Sequence, residues 1–421
     1  MDKHSKMRRK AIIWIGIMLL LSLGLVLAAC SQPSPGGTTA PESSGGTTAP
    51  DTATPIPNEN GVITADQWKD IYPDIYASYQ MNMNNKDQPS YLEQYPYMVT
   101  IYDGSGFAKD YNEARGHLYS LDDVDATARP HAFANCITCK TPELSALVNR
   151  DGIGIYSQEF PDVRALITEP ISCYNCHENT GDQTMVPAPY LNDALGADKS
   201  KVDAKILACG QCHNEYYFDP DTKAVTLPWN GIDKMNPEAM LAYYNEIPFT
   251  DFTNTISGAD MVKVQHPEME TVLGEGNKLE KMGNESCADC HMGTATNEEG
   301  EEFISHYWQS PLMNSTLIEN RCSKCHLDLA ADVKAIKTDT HDRLVTIGNK
   351  LADLHVKIGE AAENGSKTED ELAELRQLVR DAQWYFDFVQ VENSYGAHNS
   401  TLTKQLLDKS EEMVDGALTG L

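Results

Sequence analysis

The sequence predicts a mainly α-helical single domain closed by long C-terminal helices, and three observations carry that prediction. After residue 326, Leu344, Ile347, Leu351, Leu354 and Ile358 recur three and four positions apart, the period of one helix face. Asn364-Gly365 breaks the run, Thr368 and Glu371 form a capping-box pair, and Leu372, Leu375, Val379, Ala382 and Phe386 resume the seam. A third, shorter helix is predicted over Thr401–Leu418. From Val62 to residue 326 the chain is instead loop-rich, with short helical patterns, no sustained period-two alternation, no βαβ unit and no Gly-rich phosphate loop. Finally, ten of the eleven cysteines fall in five Cys-x-x-Cys pairs within this loop-rich part, leaving none there for a disulfide.

Four of the pairs are closed by histidine: Cys173–Cys176–His177, Cys209–Cys212–His213, Cys287–Cys290–His291 and Cys322–Cys325–His326. Cys-x-x-Cys also builds zinc ribbons, disulfides and thioredoxin-like redox sites, but none of these needs histidine next to the second cysteine. Histidine makes up 12 of 421 residues, so four such matches by chance have odds on the order of one in a million. Cys-x-x-Cys-His is the attachment signature of c-type haem, in which two thioethers hold the macrocycle and the histidine binds iron. The fold class is therefore a single multihaem cytochrome c domain. Large apolar haems supply part of its core, which fits a hydrophobic content of only 41%.

The first pair, Cys136-Ile137-Thr138-Cys139-Lys140, has lysine where the iron ligand belongs. An ammonium cannot coordinate metal, and deprotonating lysine at neutral pH from a pKa near 10.4 costs about 4–5 kcal/mol. That cost marks the first of five haems as different from the others, and we read it as the catalytic one.

The N-terminus places this chemistry outside the cytoplasm. Lys3, Lys6, Arg8, Arg9 and Lys10 precede the apolar run Ala11–Ala29, which ends in Ala28-Ala29-Cys30. Residues 1–29 read as a lipoprotein signal with lipidation of Cys30, the alternative being an uncleaved membrane anchor. Residues 30–61 are a Pro/Gly/Ser/Thr-rich tether containing Gly-Gly-Thr-Thr-Ala-Pro twice, and 62–421 form the domain, with its haem-binding part up to about 326 and long helices over 327–421. The expected location is the extracytoplasmic face of a bacterial cell membrane, on the periplasmic or extracellular side. Net charge is −29, and −33 without residues 1–29 (28 basic against 61 acidic). Such acidity excludes nucleic-acid binding, whereas screening over about 8 Å still lets a local cationic funnel admit an anion.

Eight histidines lie outside the motifs, and composition alone does not say which are axial ligands. Several separate stretches do bear on it: Arg115-Gly116-His117, the Cys136–Lys140 motif, Cys209–Phe218, Lys263–Glu268, Cys287–Met292, and Ala382-Gln383-Trp384 with a later His398. In order and spacing they resemble the ammonia-forming cytochrome c nitrite reductases over roughly residues 65–410. The resemblance implies five covalently bound haem c groups, six-electron reduction of nitrite to ammonium, and Lys140 as proximal ligand of the active-site haem. It implies Arg129, Tyr216 and His266 as the catalytic residues. Distal ligands would be His306 for the second haem in sequence, His117 for the third and His398 for the fourth. One calcium ion would be held by Glu215, the Tyr216 and Lys263 carbonyls and the Gln265 amide oxygen. Implied partners are a membrane quinol-oxidising multihaem cytochrome as electron donor and a second copy of the chain, docked through the C-terminal helices.

The residue types suit that chemistry. Arginine keeps its charge and polarises an N–O bond; His266 donates hydrogen bonds and relays protons near neutral pH; the Tyr216 phenol donates a hydrogen bond; calcium prefers oxygen ligands. There are two departures from the pattern. No histidine lies between His266 and Cys287, where the distal ligand of the fifth haem is expected, and Met282 is the candidate in its place. Pro130-His131 directly after Arg129 is expected to alter the substrate channel. His131, His341 and His355 are read as surface or helix-face residues. Rival readings are a non-catalytic pentahaem electron carrier, the same site acting mainly on sulfite or hydroxylamine, and, more remotely, a zinc module.

Overall fold

The computed structural model describes residues 54–421, apart from residues 278 and 283 and the side chains of 280 and 281. The signal, Cys30 and the body of the tether lie outside the described residues. Among those described, no helix is long and apolar enough to cross a membrane.

The C-terminal third is three long helices, Leu329–Asn364, Glu369–Gln390 and Ser400–Gly420, packed against one another. The apolar seam is their reason for packing. Leu344, Ile347, Leu351, Leu354 and Ile358 are fully buried, as are Val379, Ala382 and Phe386 of the second helix. The breaks fall where the turn chemistry predicts them. Gly365 ends the first helix in the left-handed region at φ 68°, and Thr368 caps the next through the Glu371 N–H. The third helix is longer than expected, at 21 residues. Asn399 accepts the Leu402 N–H and starts it one residue before the expected Thr401.

These helices back onto the haem-motif region through two glycines that permit close contact. A Cβ at Gly359 would lie 2.4 Å from the Ile256 carbonyl oxygen, and one at Gly348 would lie 2.5 Å from the Tyr97 ring. His355, expected on the surface or on a helix face, is on a helix face. It is buried on the inner face of the first long helix, with Nδ1 bonded to the Ser257 hydroxyl (2.8 Å) and Nε2 to the Gln383 amide oxygen (2.9 Å). Both ring nitrogens are thereby used, so it has no lone pair to offer a metal.

Residues 54–326 consist of short helices, turns and three two-stranded antiparallel hairpins, Tyr217–Phe218 with Val225–Thr226, Phe252–Thr253 with Asp260–Met261, and Thr294–Thr296 with Glu302–Ile304. Polar clamps hold these pieces. The Glu143 carboxylate is completely buried without a cation and accepts from Asn58 Nδ2, Asn60 Nδ2, the Thr168 N–H and hydroxyl and the Glu169 N–H. It sits one turn beyond Lys140, so the start of the folded chain is fastened to the first motif.

Replacing Gly359 with alanine is expected to lower the unfolding midpoint, costing roughly 1–3 kcal/mol of overpacking. Gly416→Ala, in a helix position with open space around it, should instead raise stability by about 0.5–1 kcal/mol. Thermal melts of the two variants check both signs. Burial pushes His355 down to about 4. The unfolded chain binds this proton near pH 6.5, so the contribution is full above that pH and is lost as pH falls towards 4. In urea titrations over this window, His355→Gln should flatten the stability–pH slope by up to about 1.4 kcal/mol per pH unit; an unchanged slope contradicts the assignment.

Candidate functional site

Each motif folds as a short helical turn, which brings cysteines i and i+3 to one side and the closing residue beneath them. The turns lie in Ala134–Ile137, Tyr174–His177, Ala204–Gly210, Cys287–His291 and Cys322–Lys324. In three histidine motifs the closing N–H bonds back to the first cysteine's carbonyl: His177 to Cys173, His213 to Cys209 and His326 to Cys322. Lys140 differs, since its N–H bonds to Ile137 one residue later, a tighter 3₁₀-type turn. The motifs also cluster. Cys139 lies beside Cys212, and Cys209 beside Cys287.

The described residues fit haem ligation. Two metal–imidazole bonds of about 2 Å plus two ring radii separate opposed ring centroids by roughly 6 Å. The structure places His177 and His306 at 6.1 Å, His117 and His213 at 6.3 Å, and His291 and His398 at 5.9 Å. Nδ1 is already engaged on four of these rings, by the carbonyls of Gln183 for His177, Ile304 for His306 and Gln309 for His291 (each 3.0 Å), and by Glu392 for His398 (2.5 Å). A ring that donates from Nδ1 presents the Nε2 lone pair, as a metal ligand must. Burial pushes His117 down to about 3, keeping it neutral. No ring opposes His326 among the described residues; its Nδ1 lies 3.7 Å from Asp332. Met282 ends a short turn, Leu279–Met282, and is 47% exposed.

Around the lysine motif, Arg129, Tyr216 and His266 come together. The Arg129 charge acts on Tyr216 and Cys136, and the Lys140 charge acts on His266 and Cys139. Burial raises the Tyr216 phenol well above its ordinary value, so it keeps its proton. Burial pushes His266 down to about 4, so it enters as a neutral imidazole. This changes the expected role: His266 offers an N–H at neutral pH and holds an extra proton only under acid conditions. Arg129 forms no ion pair with a carboxylate among the described residues. Its Nε donates to Thr127 Oγ1 (3.2 Å), and its guanidinium carbon lies 4.5 Å from the Phe107 ring centroid. His131 packs on Phe160 at 4.1 Å and turns Nδ1 towards the Arg129 carbonyl (3.0 Å), so it fixes the backbone beside Arg129.

Beside Tyr216, the Glu215 carboxylate is completely buried and accepts from the Tyr244 hydroxyl (2.9 Å) and the Gln265 N–H (2.6 Å). It forms no ion pair among the described residues, the Lys263 ammonium acting on it from further off, and burial, with Glu270 and Asp251 nearby, raises its pKa well above the usual range. A buried carboxylate among other acids suits a bound cation. The Gln265 amide nitrogen donates to the Lys263 carbonyl (2.9 Å), so a rotation of the amide would set both oxygens beside that carboxylate. Carboxylate and carbonyl oxygens of this kind are the ligands a hard cation prefers. Glu270 is a residue the sequence reading missed. It accepts from the Glu215 N–H (3.1 Å) and Trp229 Nε1 (2.9 Å), and burial lifts it to about 8. Only its place four residues after His266 could have drawn notice.

Known proteins resemble this chain over most of its length. The chain is 32% identical over 385 residues to cytochrome c-552 of Aliarcobacter butzleri, spanning 84% of this chain and 75% of that one. It is 31% identical over 346 residues to cytochrome c-552 of Bacteroides fragilis, spanning 76% and 66%. A solved cytochrome c nitrite reductase from Desulfovibrio desulfuricans, described for the relevance of two calcium sites in its catalytic subunit, superposes with a TM-score of 0.76 at 28% identity over 86% of each chain. The cytochrome c552 family profile matches residues 64–421, and the chain belongs to that family.

Proposed function

We propose that this protein reduces nitrite to ammonium by six electrons at the haem of the Cys136–Lys140 motif. The observation that carries it is the pairing of an unneutralised arginine, a protonated tyrosine and a neutral histidine with the one motif closed by lysine. The likeness to a cytochrome c nitrite reductase supports the same reading.

Five haem c groups would be held by the five cysteine pairs, with Lys140, His177, His213, His291 and His326 as proximal ligands and His306, His117 and His398 as distal ligands of the second, third and fourth. When bound, they supply the iron that takes the substrate and the relay that delivers its electrons. Arg129 binds the anion, because its charge persists through every protonation step and it forms no ion pair among the described residues. Tyr216 holds its proton on the phenol oxygen and donates a hydrogen bond, and His266 donates from its ring N–H. One calcium ion would be held by Glu215, the Tyr216 and Lys263 carbonyls and Gln265, adding positive potential beside the anion. Met282 remains the candidate for the outer position of the fifth haem.

The wider setting rests on sequence. Residues 1–29 act as a signal, Cys30 carries lipid, 30–61 tether, and 62–421 work outside the cytoplasmic membrane. A membrane quinol-oxidising multihaem cytochrome supplies electrons, and a second copy docks through the C-terminal helices.

Lys140→His is the direct test. It should retain five haems by pyridine haemochrome and lose nitrite turnover with reduced viologen by about 10- to 100-fold, the scale at which ligand changes alter metal sites. Full turnover in that variant would overturn the assignment. Faster wild-type turnover of sulfite or hydroxylamine than of nitrite would reassign the substrate.

A further inference from the structure

Arg129 lies in an irregular stretch, residues 127–130, without helix or strand hydrogen bonding of its own. Besides Thr127 and His131, which bond its Nε and its carbonyl, one short segment packs against it. At Gly106 a Cβ would lie 3.3 Å from Arg129 Cγ and 3.4 Å from Pro130 Cδ, so the backbone there is pressed against the arginine stem. The Phe107 ring lies 4.5 Å from the guanidinium. Asp110 accepts from the Thr127 hydroxyl (2.6 Å) and the Ala128 N–H (2.7 Å), and Thr127 Oγ1 in turn accepts from Arg129 Nε.

The same ring serves a second cation. Lys263 Nζ is buried 4.4 Å from Phe107, 4.9 Å from Tyr111 and 5.5 Å from Tyr102, and donates to the Val264 carbonyl (2.8 Å). Tyr102 donates to Asp387 of the second long helix (2.7 Å), which anchors the cage. At its other end Lys263 belongs to the calcium cradle, where its carbonyl meets Gln265. A single residue thus reaches from the cation site to the ring under the arginine.

We propose that Gly106–Asp110 is the seat of the anion-binding arginine, with Phe107 as its positioning residue, and that the Lys263 side chain couples this seat to the calcium cradle. An aromatic seat has a physical advantage over a carboxylate. It fixes a guanidinium by cation–π attraction without a direct ion pair; Asp110 acts on the guanidinium only at one remove, through Thr127. The coupling gives the cation a positional role besides its electrostatic one. The inference rests on Arg129 being the anion-binding group.

The test uses purified, fully haem-loaded protein and titrates nitrite by the absorption change. Phe107→Leu should raise the nitrite Kd by about tenfold, as expected for losing a desolvated cation–π contact, with haem and calcium content unchanged. Its KM should rise more than its kcat falls. Phe107→Tyr keeps the ring and should bind within about twofold of wild type; if it binds as weakly as Phe107→Leu, the ring only fills space and the proposal fails. Removing calcium with a chelator should raise the wild-type Kd but add little in Phe107→Leu, because the link is already cut. Additive losses would overturn the coupling. Arg129→Gln separates the two levels. If it weakens nitrite while Phe107→Leu does not, the seat fails and the function stands. If Arg129→Gln binds nitrite normally, the functional reading fails and takes the seat with it.

Discussion

The structure depends on one geometric constraint: a single helical turn fixes two thiols and the next side chain with respect to one another. Five times the chain spends five residues on that turn, and everything between the turns serves to place histidines opposite them. The 5.9–6.3 Å ring spacings are the result. They come from partners far apart in sequence, such as His177 with His306, so the loops must hold long-range positions without long helices or sheets. Clamps such as buried Glu143 and the carbonyl partners of Nδ1 do that work locally. The three long helices give a stiff wall behind them.

Charge is organised against the overall balance. A strongly acidic chain would repel a small anion, yet at the lysine motif it presents Arg129 with no carboxylate counterpart. Of the acids nearby, Glu215 and Glu270 are buried, and Asp251 also acts on Glu215. Desolvation leaves Tyr216 and His266 as neutral donors.

Much of this was legible in the sequence. The helix seams, the Gly365 stop and the Thr368 cap follow from local period and turn chemistry, and the motif turns from their spacing. The ring pairs needed the family likeness, since no local signal ties His117 to His213. The third helix came out longer at both ends, one residue earlier where Asn399 caps it and two residues later at Gly420, boundaries that periodicity does not resolve. His355 was expected on the surface or on a helix face; that this face is the buried one was not legible, because its partners, Ser257 and Gln383, are distant in the chain and a lone histidine on a helix gives no hint of them. The roles of Phe107 and the Lys263 side chain were invisible for a related reason. An arginine seat made of aromatic rings has no spacing signature.

The central claim is that one iron of five, held by Lys140, exchanges ligands while the others are fully or differently bound. The most direct measurement is quantitative electron paramagnetic resonance of the oxidised protein during titration with nitrite or cyanide. The account predicts that one haem per chain changes its signal saturably, and that Arg129→Gln weakens this change. A protein in which no haem responds to either anion would contradict it and leave an electron carrier in its place.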